Sequence, residues 1–328
     1  MSLSKVKIAL KISIVVWIIW FTVLGFSDAF SYLIDNWEVA VTMIFGSAIA
    51  GGTSLGGGAV AFPVFTKLLH IAPADAKVFS LAIQSIGMSA ASLTIWMSGI
   101  KVEWRIVRWG SLGGFLGIFL GLRFFAPIFP PDAIKMSFTL LLASFAMTLW
   151  VLSQKIKQRN STITVWGFRE KQLFFLAGIM GGIISGLVGN GIDILLFSVM
   201  VLLFRLSEKI ATSTSVVLMA INAIAGFALQ VFFFQDFGEP VLSYWLAAIP
   251  VVVIGAPFGA ILCNRLSRQT IANFLISLIS IELVTSLLLI PPRAIVIYSS
   301  VITLIVFSGL NYWMYRQGMT NKPEFDSL

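Results

Sequence analysis

Residues 51–63 read GGTSLGGGAVAFP, a run of glycines and small hydroxyls inside a segment that is otherwise apolar from about 39 to about 69. A single straight helix over that segment would rise roughly 46 Å, well beyond a hydrocarbon core of about 30 Å. Two full crossings would take about 40 residues, more than the segment holds. The reading that fits is a re-entrant hairpin: two half-depth helices joined by a glycine elbow. Unwound backbone is tolerated at membrane depth only where it is buried in protein or lines a watery cavity. The elbow is therefore a candidate site.

A second segment repeats the plan. Residues 185–197 read SGLVGNGIDILLF, between apolar arms that run from about 172 to 204. Gly56, Gly58 and Ser80 stand at the same spacings as Gly189, Gly191 and Ser213. The returning helices are expected to open near Ala59 and near Ile192.

Composition fixes the class. Of 328 residues, 58% are hydrophobic and 11% charged, and the mean hydropathy is +0.97. Soluble domains carry about 25% charged residues, so the chain is a polytopic membrane protein. The net charge of +8 lies in short loops between apolar runs, where it reads as membrane orientation rather than nucleic-acid binding. One cysteine, Cys263, excludes an internal disulfide and a cysteine-built metal site. With His70 the only histidine, a zinc site or a histidine-based triad has no ligands, and no cofactor is expected.

Lys5, Lys7 and Lys11 precede an apolar run to Phe26. Residues 27–29, Ser-Asp-Ala, offer a signal-peptidase pattern, but a retained first helix is the favoured reading, with the acidic stretch 28–38 outside. Apolar runs follow at about 78–97, 107–125 and 134–152, then a polar linker at 153–171, and after the second hairpin runs at 210–234, 242–263, 271–290 and 294–315. The expected organisation is an N-terminal helix and outer loop (1–38), a first repeat (39–152), a cytoplasmic linker (153–171), a second repeat (172–290), and a last helix with a cytoplasmic tail (291–328).

Charge placement decides between topologies. With both glycine segments re-entrant there are eight crossings, both termini are cytoplasmic, and the 22 Lys and Arg divide 17 inside to 5 outside (Lys67, Lys77, Arg123, Lys135, Arg293). If each glycine segment crossed once, the division would be 13 to 9. The positive-inside rule selects the first arrangement. Each half is then a hairpin followed by three crossings. Three is odd, so the halves are inverted and their elbows meet near the midplane, the plan of secondary transporters. The expected fold is thus all-α, with about eight transmembrane helices and two re-entrant half-helix hairpins in an inverted-topology repeat.

GGTSLGGGAVAFP followed by Ala72-Pro73 and Ala76, and SGLVGNGID followed by Ala211-Thr212-Ser213, resemble the two repeats of the TauE/SafE (sulfite exporter) family. Those repeats carry a glycine-rich elbow, an apolar arm, and a P-x-x-A-x-A-T-S-like opening of the next helix. The resemblance implies a bacterial inner-membrane permease for sulfite, an organosulfonate or a related small anion. Val78-Phe79-Ser80 replaces the A-T-S of the first half, and Asn190 takes a glycine position in the second elbow, with Asp193 after it. Related thiosulfate importers use cysteines along their path, and Cys263 alone does not supply them.

The physics of the elbows agrees with an anion. Each returning helix begins with free N–H groups and a partial positive charge, and two such ends facing one point form an anion site without a fixed cation. Gly56, Gly57, Gly58, Gly189 and Gly191 would let backbone approach an oxyanion, with Asn190 beside them. Thr53 and Ser54 would add hydroxyl donors, and Ser80, Gln84 and Ser213 are the helix residues expected to face the elbows. Each hydroxyl has a plainer use, bonding its own i−4 carbonyl. For Gly117, Gly121, Gly255 and Gly259 the plainer role, close helix packing, is preferred. Glu282 and Asp193 fall at membrane depth, where acids mark ion or proton paths, and both are proton-coupling candidates. Glu282 could instead hydrogen-bond a neighbouring helix, and Asp193 could stabilise the helix start. The partners implied are the small anion and the lipid bilayer, with no nucleic acid; a homo-oligomer is allowed. A channel, or an intramembrane enzyme, remains as an alternative, although no nucleophile with a nearby base stands out.

Overall fold

A computed structural model describes residues 3–54, 56, 64–155 and 159–320. Twelve helices run along them: α1 (Leu3–Leu24), α2 (Phe26–Asp35), α3 (Trp37–Gly52), α4 (Pro73–Met97), α5 (Trp104–Leu120), α6 (Pro131–Lys155), α7 (Phe168–Val188), α8 (Ile192–Ser198), α9 (Glu208–Ala228), α10 (Val241–Cys263), α11 (Arg268–Leu289) and α12 (Ala294–Thr320). Wider π-turns extend α5 over Gly121–Phe125, α8 over Val199–Leu203 and α9 over Leu229–Phe234, and a further one covers Val64–Leu68. Among the described residues, eight helices are long and apolar enough to cross a membrane: α1, α4, α6, α7, α9 with its extension, α10, α11 and α12. Gly57, Gly58 and Ala59, expected at the first elbow and its returning helix, lie outside the described residues.

Proline places the first helix. Pro250 and Pro257 sit inside α10 and lack an N–H, so the carbonyls four residues earlier, Leu246 O and Val253 O, lose their helical donors. Both are taken by α1: Trp20 Nε1 donates to Leu246 O at 3.1 Å and Ser13 Oγ to Val253 O at 2.7 Å. Trp17 Nε1 adds a bond to Pro250 O at 2.9 Å. In a bilayer no water can replace such donors. Beyond Gly25 the chain enters α2, which meets α3 at a bend of 82°. The acidic stretch expected as an outer loop is thus largely helical, with one buried residue in α2, Ala29.

Glycine decides the closest packing. α3 lies along α10, and α5 along α7. At Gly255 a Cβ would collide with Ser47 Oγ, at Gly51 with Ala256 O, and at Gly52 it would come to 3.0 Å from Gly259 O. At Gly113, Gly117 and Gly121 it would collide with Phe175 O, Ile179 O and Ile183 O in turn. Small residues at this spacing let helix backbones touch, which is how membrane helices associate without a hydrophobic drive. Both pairs are parallel, since the contacts advance together along the two chains.

Two further pairs, α4 with α9 and α6 with α11, are antiparallel. Between α4 and α9, Ser92 Oγ reaches Val216 O at 3.5 Å while Leu81 clusters with Leu229. Between α6 and α11, Thr139 meets Glu282 and Ser286, while Asp132, one end earlier, approaches Arg293 at 3.8 Å. Exchanging α3 with α7, α4 with α9, α5 with α10 and α6 with α11 maps this set of contacts onto itself. That pattern is consistent with two inverted halves.

Three placements differ from the sequence expectation. The first arm of the second hairpin, α7, has 21 residues and rises roughly 31 Å, more than half a bilayer. Lys135, counted above with the outer loops, is the fifth residue of α6 and 7% exposed. The linker is also held in place. Asn160 N donates to Arg205 O and Ser207 N to Asn160 O, each at 2.9 Å, and Arg159 pairs with Glu208 at 3.0 Å with both side chains buried.

Candidate functional site

α7 ends at Gly189, whose φ of +93° is a left-handed cap that glycine adopts without strain. The same residue has no room for a side chain, because a Cβ there would lie 2.7 Å from Ser80 Cβ and 3.0 Å from Lys77 O. The Gly189 carbonyl therefore points at α4. Gln84 Nε2 donates to it at 3.1 Å and Ser80 Oγ at 3.3 Å, while Gln84 Nε2 also reaches Ser80 Oγ at 2.5 Å. Ser80 and Gln84 are thus brought onto the second elbow. Gln84 Oε1 is buried without a partner.

α8 opens at Ile192, the expected residue. Its first donors are already engaged. Gly191 N donates to Asp193 Oδ1 at 2.9 Å and Ile192 N to Ser185 Oγ at 3.0 Å. A carboxylate in the first turn satisfies the helix dipole from within. Asp193 is 1% exposed, and its Oδ2 has no hydrogen-bond partner. The free N–H cradle expected here is therefore occupied by the chain's own Asp193 and Ser185.

The first elbow comes to the same place. Gly56, with φ of +66°, stands so close to the second elbow that a Cβ on it would lie 3.0 Å from Asn190 Nδ2, 3.3 Å from Asp193 Oδ2 and 3.3 Å from Met219 Cε. Thr53 and Ser54, just before it, are buried at 2% and 0% exposure. Gln84 is the twelfth of the 25 residues of α4, and Met219 the twelfth of the 27 in α9 with its extension. The two breaks thus meet about halfway along the two helices that flank them.

Ser213 is elsewhere. Its hydroxyl bonds Lys209 O at 3.1 Å, and its side chain lines a different cavity. Glu282 is buried in a polar cluster at α6. It forms an ion pair with Lys135 and accepts from Thr139 Oγ1 at 3.2 Å and Ser286 Oγ at 3.3 Å, while its Oε2 is buried without a hydrogen-bond partner.

Three cavities are arranged around these groups. A small one of about 30 Å³, room for a water or two, is lined by Ser80, Gln84 and Asn190 together with Ser47, Lys135 and Val188. A second, of about 480 Å³, includes Pro73, Lys77, Pro130, Lys135 and Val188 in its lining. A third, of about 560 Å³, includes the cations Lys5, Lys101, Arg159 and Lys209, together with Ser213 and Asn264. Glu103 and Thr162 latch the segments beside it: Arg105 Nε donates to Glu103 Oε1 at 2.6 Å and Thr162 Oγ1 to Glu103 Oε2 at 3.0 Å.

Sequence reasoning missed Lys135, Lys77 and Ser185. A lysine at the start of the apolar run 134–152, four residues after Pro130-Pro131, was the signal available for Lys135.

Helices broken at glycine, meeting beside a small cavity within a bundle of apolar crossings, are the build of a membrane transport protein. The family model described as sulfite exporter TauE/SafE matches residues 39–289, and the chain belongs to that family. No curated protein and no solved structure was found to match it. The family is one of anion-exporting membrane transporters.

Proposed function

We propose that the chain is a secondary carrier of a small oxyanion, sulfite or an organosulfonate, working by alternating access at a midplane site between its two elbows. The observation that carries this reading is the approach of Gly56 to Asn190 and Asp193, which brings both breaks to one point between two cation-lined cavities. The site comprises Thr53, Ser54, Gly56, Gly57 and Gly58 from the first break and Gly189, Asn190 and Gly191 from the second. Ser80 and Gln84 complete it, and Ser213 greets the anion in the inner vestibule.

In this reading the two halves form an inverted repeat, the cavity with Lys77 opens to the outside and the basic cavity opens to the cytoplasm. The chain sits in a bacterial inner membrane with both termini inside. Rocking one half against the other along the glycine-packed seams would open the elbow site to each vestibule in turn. Asp193 already occupies the start of α8, so an anion approaching those donors must meet a neutral or displaced carboxyl. Asp193 and Glu282 are the proton-coupling groups on this account.

Counterflow in proteoliposomes tests the reading. Vesicles preloaded with unlabelled sulfite should accumulate labelled sulfite transiently and saturably. Unsaturable, potential-driven uptake would identify a channel instead, and no flux of sulfite or any sulfonate would overturn the proposal.

A further inference from the structure

Lys135 holds a position that the elbow model alone does not use. It and Val188 are the two residues that line both the small elbow cavity and the larger cavity at the α4 end. Lys135 therefore stands at the partition between them. The side chain is 8% exposed and paired with Glu282, which is fully buried on α11. A cation at a partition, paired with a buried acid, is a cation that an arriving anion can compete for.

The surroundings of Glu282 make that competition consequential. α6 presents Lys135 and Thr139 to it, and α11 itself presents Ser286. The nearest charges toward that end, Asp132 and Arg293, approach each other at 3.8 Å at the surface. α9 has its charges, Glu208 and Lys209, in its first turn, and α12 has Arg316 in its far half. Among the described residues, Lys135 is thus the one cation that forms an ion pair with Glu282. Removing one partner of a buried pair leaves an uncompensated charge that the interior does not tolerate.

We propose that Lys135 is the binding residue that receives the anion at this partition, and that Glu282 takes up one proton as Lys135 lets it go. The ammonium breaks its hydrogen bond to Glu282 Oε1 and donates instead to an oxygen of the anion. Glu282, now without a counter-ion, binds a proton from the water of the adjoining vestibule and becomes a neutral carboxylic acid, with the Thr139 and Ser286 hydroxyls in reach as acceptors. No other bond forms or breaks, so each anion enters with one proton. When the anion leaves, the pair re-forms and the proton is released. This inference rests on the carrier reading and names the coupling of that same site.

The test uses the full chain in proteoliposomes, with labelled sulfite flux and an internal pH dye recorded together. Wild type should acidify the lumen in step with sulfite entry, and an imposed inward proton gradient should accelerate entry. In Glu282→Gln, whatever its absolute rate, sulfite flux should no longer depend on the proton gradient. Lys135→Gln alone leaves a buried carboxylate and is open to misfolding, so the decisive variant is Lys135→Gln with Glu282→Gln, which removes both charges. That double variant should insert normally and lose at least tenfold in flux. Wild-type flux in the double variant would reduce the pair to a structural one and overturn the inference, as would unchanged proton coupling in Glu282→Gln. Absence of any anion flux in wild type would instead bring down the carrier reading itself.

Discussion

Gln84 Nε2, halfway along α4, lies 3.1 Å from the carbonyl oxygen of Gly189, 105 residues further along the chain. This bond fastens the second elbow to the helix that follows the first, and it leaves Gln84 Oε1 facing buried space. Replacing Gln84 by Leu removes the donor and leaves the buried carbonyl with the longer bond from Ser80 Oγ at 3.3 Å. The expected penalty is about 1–3 kcal/mol, read as a sulfite KM raised roughly tenfold or more with insertion unchanged. An unaltered KM in Gln84→Leu would remove this residue from the site.

Gly56 makes the sharpest steric prediction. Its φ of +66° and a Cβ position 3.0 Å from Asn190 Nδ2 mean that Gly56→Leu must displace the second elbow. Left-handed backbone alone costs a non-glycine residue about 1–2 kcal/mol. Flux should disappear while the protein still reaches the membrane, and Gly191→Leu should behave alike because its Cβ would strike Ile184. Normal transport in both would dissociate the elbows from function.

The first helix should matter for stability rather than for transport. Trp20→Phe keeps the ring and deletes the donor to Leu246 O, the carbonyl that Pro250 leaves unpaired. A loss of about 1 kcal/mol is expected, seen as a lower melting temperature in detergent with the sulfite KM unchanged. An unshifted melting curve would show that the carbonyl finds another donor.

The latch beside the basic cavity should respond to acid. Burial pushes the Glu103 carboxyl up, but hydrogen bonds from Arg105 and Thr162 and the nearby Arg105 charge outweigh it and hold the group below its ordinary 4.5. A carboxyl depressed in the folded state adds stability above the unfolded value, and that stability is lost as pH falls through the folded one. Hydrogen exchange at residues 159–167 should therefore be slow from about pH 5 upward and accelerate below about pH 4. Exchange with the same protection at pH 3.5 would contradict this assignment.

Much of this organisation was legible in the residues, for physical reasons that also mark where legibility stopped. Glycine runs inside apolar segments show where a helix must break, because lipid forbids loose backbone elsewhere. The i+4 glycines at 113, 117 and 121 announce a seam in the same way. Lys135 was misplaced because hydropathy counts a lysine near a proline pair as loop, whereas its actual setting depends on Glu282, a residue on another helix in the other half. The occupied start of α8 depends on a side chain only two residues from the amide it accepts. That bond lay within reach of sequence reasoning, as the alternative in which Asp193 serves the helix start. Ser213 illustrates the reverse: its hydroxyl returns to its own helix, the ordinary fate of serine in a membrane.

The most direct measurement of the central claim is accessibility of Asn190→Cys in a Cys263→Ala background, using a membrane-impermeant thiol reagent applied from either side. The account predicts modification from both faces of the membrane, slowed from each by sulfite, because one elbow site is presented to the two vestibules in alternation. Modification confined to one face, at a rate that sulfite does not change, would contradict it.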